Sequence, residues 1–229
     1  MAKETAKNCL LYIGGAETVL TSYTTISLTV SGATITLADS GSHFTAIAKG
    51  DLVTVAGFTD NGDFVAVVKT AAAGSLTLVN PIDPDTRADV TLASEIAGDT
   101  VTVTYQHFTA LLGQKNTTYQ KQASEIDTSD KTSGNWGSSL PGTTKMTVSV
   151  SGQILFTGDG AHGGWTALSD AMDSGDTINA RLVLNTLGDS YYGPFSLTNQ
   201  SGGGDDNSVN GYDFTMSVAA RPVYAEAVI

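Results

Sequence analysis

Gly158, Gly160 and Gly163, in ILFTGDGAHGGWTALSDAM (154–172), spell G-x-G-x-x-G between an apparent strand and an apparent helix. In a dinucleotide-binding loop, such glycines let backbone N–H groups approach a pyrophosphate at a helix N-terminus. They require an apolar parallel strand before them and an acid about 20 residues on. Here the preceding strand alternates apolar and polar residues, the helix is short, and Asp189 lies too far along. No second βαβ unit follows. The glycines therefore read as a strand-to-helix connection, and no cofactor is expected.

The other chemistry-bearing residues are dispersed. His43, His107 and His162 share no metal-binding spacing with one another or with a cysteine, and G-x-S-x-G is missing, so neither a zinc site nor a nucleophile elbow is expected. Asp60 with Asp63, Asp83 with Asp85, Asp127 with Asp130 and Asp205 with Asp206 form acidic loops. None follows the calcium-loop ladder, and Asp is an ordinary turn former, so solvated turns are expected rather than a metal site. Paired carboxylates for glycoside hydrolysis would lack an evident sugar platform, because aromatic residues make up only 7%.

The elements that position these residues follow from composition and periodicity. The 229-residue chain holds 23 acidic and 11 basic residues, a formal net charge of -12 without any Lys/Arg cluster, which argues against adhesion to nucleic acid. Cys9 is the single cysteine, so an internal disulfide is excluded. The apolar stretch Cys9–Ile13 is shorter than a signal-peptide core or a membrane span of about 20 residues, so synthesis without export and no membrane contact are expected.

Period-two alternation marks strands. Met146, Val148, Val150, Ile154 and Phe156 fall on one face of TTKMTVSVSGQILF; Ile178, Ala180, Leu182 and Leu184 do so in DTINARLVLNTL; and Tyr212, Phe214, Met216 and Val218 do so near the end. GPFSLTNQSGGGDDNSVNGYDFTMSVA reads as two strands around a Gly/Asp/Asn loop. One helix is predicted, where Trp165, Leu168 and Met172 fall at i, i+3 and i+7 before Gly175. Between 17 and 106, TISLTV, ATITL, DLVTVAG, DFVAVV, SLTLV and TVTVTY recur about every ten residues, the spacing of a small barrel or sandwich. The fold class is thus mainly β: an antiparallel sandwich or barrel with one short flanking helix, plus an inserted all-β module.

One strand is unusual. Gln114 to Ala123 is polar on both faces, which requires water on one side and another subunit or a solvated channel on the other. It leads into SEIDTSDKTSGNW and then LPG. Here the sequence resembles the major tail tube proteins of long-tailed bacteriophages, prophages and gene transfer agents. The resemblance covers residues 1–16 and 107–229 and is carried by KNCLLYIGG, by FTALLGQKNTTYQKQASEIDTSDKTSGNW, by VSGQILFTGDGAHGGWTALSDAM and by the closing hairpin. Its most specific piece is Glu125, Ile126, Asp127, Thr128, Ser129, Asp130, Lys131, Thr132, Ser133, Gly134, Asn135 and Trp136.

The resemblance implies a non-enzymatic virion protein, assembled in the host cytoplasm, that stacks as hexameric rings into a tube for genome delivery. Its implied partners are tape measure, tail terminator and baseplate proteins, with DNA passing without specific binding. By the same resemblance, the segment from Glu125 to Trp136 would reach the neighbouring ring and Gln114, Asn116, Thr118, Gln120 and Gln122 would face the lumen. Trp165, Leu168 and Met172 would dock the helix. An acidic, Arg-poor lining would repel phosphate. The module at 17–106 departs from the family's minimal pattern, and its position suggests the tube's exterior. Two other readings compete: a secreted-type β module binding carbohydrate or a cell surface, and the tube of a contractile injection or secretion machine.

Overall fold

The computed structural model describes residues 9–127, 139–153, 165–203 and 210–226. In chain order the elements are β1 (Leu10–Gly14), β2 (Thr18–Val19), β3 (Ile26–Ser31), β4 (Thr34–Asp39), β5 (Leu52–Ala56), β6 (Phe64–Ala72), β7 (Ser75–Ile82), β8 (Thr102–Gln106), β9 (Phe108–Ala110), β10 (Gln114–Asp127), β11 (Ser139–Gln153), α1 (Trp165–Ser174), β12 (Thr177–Val183), β13 (Ser190–Gly203), β14 (Gly211–Val218) and β15 (Val223–Ala225). The chain is mainly β, with antiparallel sheets and, among the described residues, one α-helix. It forms two compact units. One holds Met1–Leu111, Ile178–Pro194 and Ala220–Ile229; the other holds Leu112–Thr177 and Phe195–Ala219. Gly158, Gly160 and Gly163, together with His162, Ile154 and Phe156, lie outside the described residues.

In the first unit, all six segments read as short strands between 17 and 106 form strands of a seven-stranded sheet, ordered β2-β8-β5-β6-β7-β4-β3. Bridges Tyr23↔Val101 and Leu28↔Glu95 bring the start of the sheet against the segment leading into β8, so the sheet curls on itself. Its alternating apolar residues then meet in one interior: Ile26, Leu28, Leu37, Phe44, Val53, Phe64, Val68, Leu78 and Val103 belong to a single buried cluster. β6 is buried on both faces from Phe64 to Val68. Phe64, Ala66 and Val68 join that interior, while Val65 and Val67 join a second cluster with Tyr192, Val223 and Ala225. A continuous apolar run is what two-sided burial requires.

Polar clamps hold this unit's turns. Asp39 is buried and accepts hydrogen bonds from the Thr25 hydroxyl, from the Gly41 N–H at 2.9 Å and from the His43 N–H at 2.6 Å; His43 Nδ1 lies 2.8 Å from its carboxylate. Burial alone would raise the Asp39 pKa, but these donors outweigh it and hold the carboxyl below its ordinary value. His107 Nδ1 lies 2.7 Å from the buried Asp51 carboxylate. The Arg181 guanidinium sits over the rings of Tyr12 and Tyr192, 5.4 and 5.3 Å from their centroids. The Tyr192 hydroxyl donates to the Gly50 carbonyl at 3.2 Å, and burial pushes its pKa up to about 12.

The second unit is a sheet in the order β10-β11-β14 followed by β13, paired antiparallel throughout. β10 and β11 form a long hairpin. Met146, Val148 and Val150 are buried, with Thr147, Ser149 and Ser151 between them on the opposite face, as the alternation predicts. Gly152 is required where it stands. A Cβ there would lie 2.2 Å from the Gly113 carbonyl oxygen and 2.7 Å from the Tyr212 hydroxyl. That hydroxyl donates to the Leu112 carbonyl at 3.1 Å, and burial pushes its pKa up to about 12.

The predicted helix is present. Leu168 and Ala171 are its buried residues, with Trp165 and Met172 partly buried on the same stripe. Full burial of Leu168 is worth about 1.5–3 kcal/mol. Gln200 donates to the Ser169 hydroxyl at 3.2 Å, and Gln200 pairs with Phe214, so the helix lies over the apolar face of the sheet. Gly175 ends it, with φ +75 and its N–H donating to the Ala171 carbonyl at 3.0 Å. Among the described residues no helix is long and apolar enough to cross a membrane.

Candidate functional site

Directly paired residues of an antiparallel sheet project to the same face, so the register of the second unit sorts its side chains into two surfaces. One is apolar. Val148 pairs with Met216 and Val150 with Phe214, and Leu197 pairs with Met216 in turn. The opposite surface is polar across all four strands.

On that polar face Asn116 pairs with Ser151, Thr118 with Ser149, Gln120 with Thr147 and Gln122 with Lys145. Ser151, Ser149 and Thr147 pair onward with Asp213, Thr215 and Ser217, and these with Ser201, Asn199 and Ser196. The hydroxyls of Ser149 and Thr215 lie 3.3 Å apart, and Thr198 donates to the Thr215 carbonyl at 3.1 Å. Asn116, Thr118, Gln120 and Gln122 are all exposed. A shallow open depression is lined by Thr118, Tyr119, Gln120, Thr147 and Ser149. Hydroxyls and amides both donate and accept, so this surface can hold a water layer.

The register separates one member of the expected lumen set. Gln114 pairs with Gly152, and a bulge at Lys115 precedes the Asn116↔Ser151 pair. One extra residue switches the face. Gln114 therefore shares the face of Thr117, whose hydroxyl donates to its Oε1 at 2.9 Å, while Asn116, Thr118, Gln120 and Gln122 stay together. The sequence offered no sign of this shift, which lies where Gly113 and Gly152, far apart in the chain, come close together.

Among the paired residues of this face the charged side chains are Lys145 and Asp213, and the exposed Lys115 stands at the bulge. Many of the described acids lie elsewhere: Asp39, Asp51, Asp60, Asp63, Asp83, Asp85, Asp89, Glu95 and Asp99 belong to residues 17–106, and Asp170, Asp173 and Asp176 to the helix and its end. Loops need Asp for turn geometry, as at Asp83, where the Thr86 N–H and hydroxyl lower the carboxyl's pKa. A net charge averages over these places.

Of the segment expected to reach a neighbouring ring, Glu125, Ile126 and Asp127 continue β10, pairing with Pro141, Leu140 and Ser139 beyond a second irregularity after Ala123. Ile126 is 52% exposed. Thr128, Ser129, Asp130, Lys131, Thr132, Ser133, Gly134, Asn135 and Trp136 lie outside the described residues. Sequence reasoning missed the Asp39–His43 and Asp51–His107 pairs. The first has a local spacing that could have shown it, whereas the second joins residues far apart in the chain. Both tie turns, and among the described residues no group of three or more His, Cys, Asp or Glu is arranged to hold a metal.

The profile of the family described as "Phage tail tube protein" matches residues 88–224, more than half of the chain. The chain belongs to the phage tail tube protein family. It is a structural subunit of the virion's tail tube, which favours a non-enzymatic role. Two solved structures are similar over 52% of this chain at a TM-score of 0.44. One, described as "Tail of empty GTA particle computed with helical refinement, C6 symmetry", is 22% identical and covered over 86% of its length; the other, "Virion of native gene transfer agent (GTA) particle", is 19% identical and covered over 88%. No curated protein sequence matches the chain.

Proposed function

We propose that this tail tube subunit polymerises as stacked hexameric rings into a hollow conduit for genome delivery, with the polar face of the second unit lining the bore. The carrying observation is that face itself: four adjacent strands present hydroxyl and amide side chains on one side and a packed apolar surface on the other. A sheet wet on one side needs a polar side, but β10 is exposed on both of its faces from Thr118 to Ile126. An end strand with that pattern suits burial against another subunit. The segment Glu125–Trp136 would make the contact between rings, and α1 would hold the apolar face closed through Trp165, Leu168 and Met172.

Residues 17–106 would form a module on the tube's exterior, serving to stabilise or decorate the tail. Supporting this is an interior assembled wholly from residues 26–105. Tape measure, terminator and baseplate proteins would be the heterologous partners, and DNA would pass without specific binding. Electron microscopy of the protein produced together with its neighbouring tail gene products tests the proposal. Six-fold rings or tubes are expected; monomers alone in the presence of the complete set of tail gene products would overturn it.

A further inference from the structure

We propose that residues 93–99 form a strap over the outer edge of β3, and that its release lets β3 pair edge to edge with β3 of a second copy of the chain. The inference is independent of the proposed function. β3 ends the path of the seven-stranded sheet, with β4 on its inner side. A strand edge presents a row of N–H and C=O groups that template pairing with another chain unless charge, proline or a covering segment blocks them. β3 reads ISLTVS, with neither charge nor proline. Blocking therefore falls to the segment that lies along it.

That segment imitates a neighbouring strand with very few contacts. Leu28 exchanges both of its backbone hydrogen bonds with Glu95, at 2.8 and 2.7 Å. Two residues on, the Val30 N–H donates to the Ser94 hydroxyl at 2.8 Å, and the same hydroxyl donates to the Val30 carbonyl at 3.4 Å. A side chain stands in there for a strand.

The strap is pinned by polar groups. Glu95 Oε1 accepts from the N–H groups of Thr59 and Asp60 at 2.7 and 3.1 Å, and Oε2 accepts from Asn61 Nδ2 at 2.7 Å. Asn61 also exchanges hydrogen bonds with the Ala93 backbone, at 3.0 and 2.8 Å. The Asp99 carboxylate accepts from the Thr59 N–H and hydroxyl at 3.1 and 2.9 Å. Glu95 is the one buried residue among 93–99, and Ile96 is 86% exposed. A segment that buries no apolar side chain and hangs on such bonds opens well below global unfolding. Once it opens, the outward groups of Leu28 and Val30 flank Thr29 symmetrically. Two antiparallel copies of β3 about a two-fold axis then satisfy one another, Leu28 opposite Val30.

The test compares amide exchange and sedimentation velocity of the full chain with those of Glu95→Ala, or of Ser94→Ala if the first variant does not fold. In Glu95→Ala the Leu28 and Val30 N–H groups should exchange faster by about ten- to a hundredfold, the loss of one charge-assisted hydrogen bond expressed as an opening equilibrium, while the β4–β7 ladder stays protected. In Ser94→Ala the Val30 N–H alone should do so. The released chain should associate as concentration rises, under conditions in which the parent stays dispersed. Adding Val30→Pro, which removes an outward N–H and leaves the β4 ladder intact, should abolish that association. Unchanged exchange overturns the strap. Released chains that stay monomeric at every concentration, or association that survives Val30→Pro, overturn pairing through β3.

Discussion

β6 and β10 are opposite answers to the same geometry. From Phe64 to Val68, β6 is buried on both faces, one toward the interior of the seven-stranded sheet and the other toward Tyr192, Val223 and Ala225. From Thr118 to Ile126, β10 is exposed on both. A strand in the middle of a completed fold can afford no polar group, because each unpaired one costs free energy. On the proposed function, β10 meets partners outside the chain and must remain solvated until they arrive. The contrast separates a strand that carries the fold's stability from one that, on the proposed function, is kept for assembly.

The sharpest way to break the comparison is to place the same charge in both strands. Val67→Asp buries an unpaired carboxylate and should cost more than about 4 kcal/mol, enough to abolish cooperative thermal unfolding followed by circular dichroism. Thr118→Asp should change subunit stability by no more than about 0.5 kcal/mol. Similar losses at both sites would contradict the distinction. Gly152→Ala, which must displace Gly113 or Tyr212, should cost roughly 1–3 kcal/mol, visible as a lower denaturation midpoint at unchanged slope. Tyr192→Phe removes the hydroxyl that donates to Gly50 and should cost about 0.5–1.5 kcal/mol.

The smallest effect is one of pH. Because the folded pKa of Asp39 lies below its ordinary value of 3.8, its contribution is fully present above that value and is lost as pH falls through the folded pKa. Asp39→Asn should remove this part of the acid dependence and lower stability at neutral pH. An acid unfolding curve for the variant as steep as that of the parent would show that Asp39 does not carry it.

Much of this was legible in the residues. Alternation placed Met146, Val148 and Val150 on the buried face, and i, i+3, i+7 spacing with Gly175 marked the helix, since both patterns are local. What was not legible depends on distant partners. The run DFVAVV reads as a strand, but nothing in it says that Val65 and Val67 meet Tyr192. The bulge that moves Gln114 off the polar face arises opposite Gly152, across the hairpin. Arg181 looks like an ordinary solvent-facing residue of an alternating strand until Tyr12 and Tyr192 bracket it. A net charge of -12 does not say where the carboxylates sit; many of the described ones lie in residues 17–106 and at the helix.

A cryo-EM reconstruction of the assembled tube at side-chain resolution tests the central claim most directly. The account predicts Asn116, Thr118, Ser149 and Thr215 facing the bore, with residues 17–106 outside it. A bore lined by the seven-stranded sheet, or by the face that carries Val148 and Met216, would contradict it.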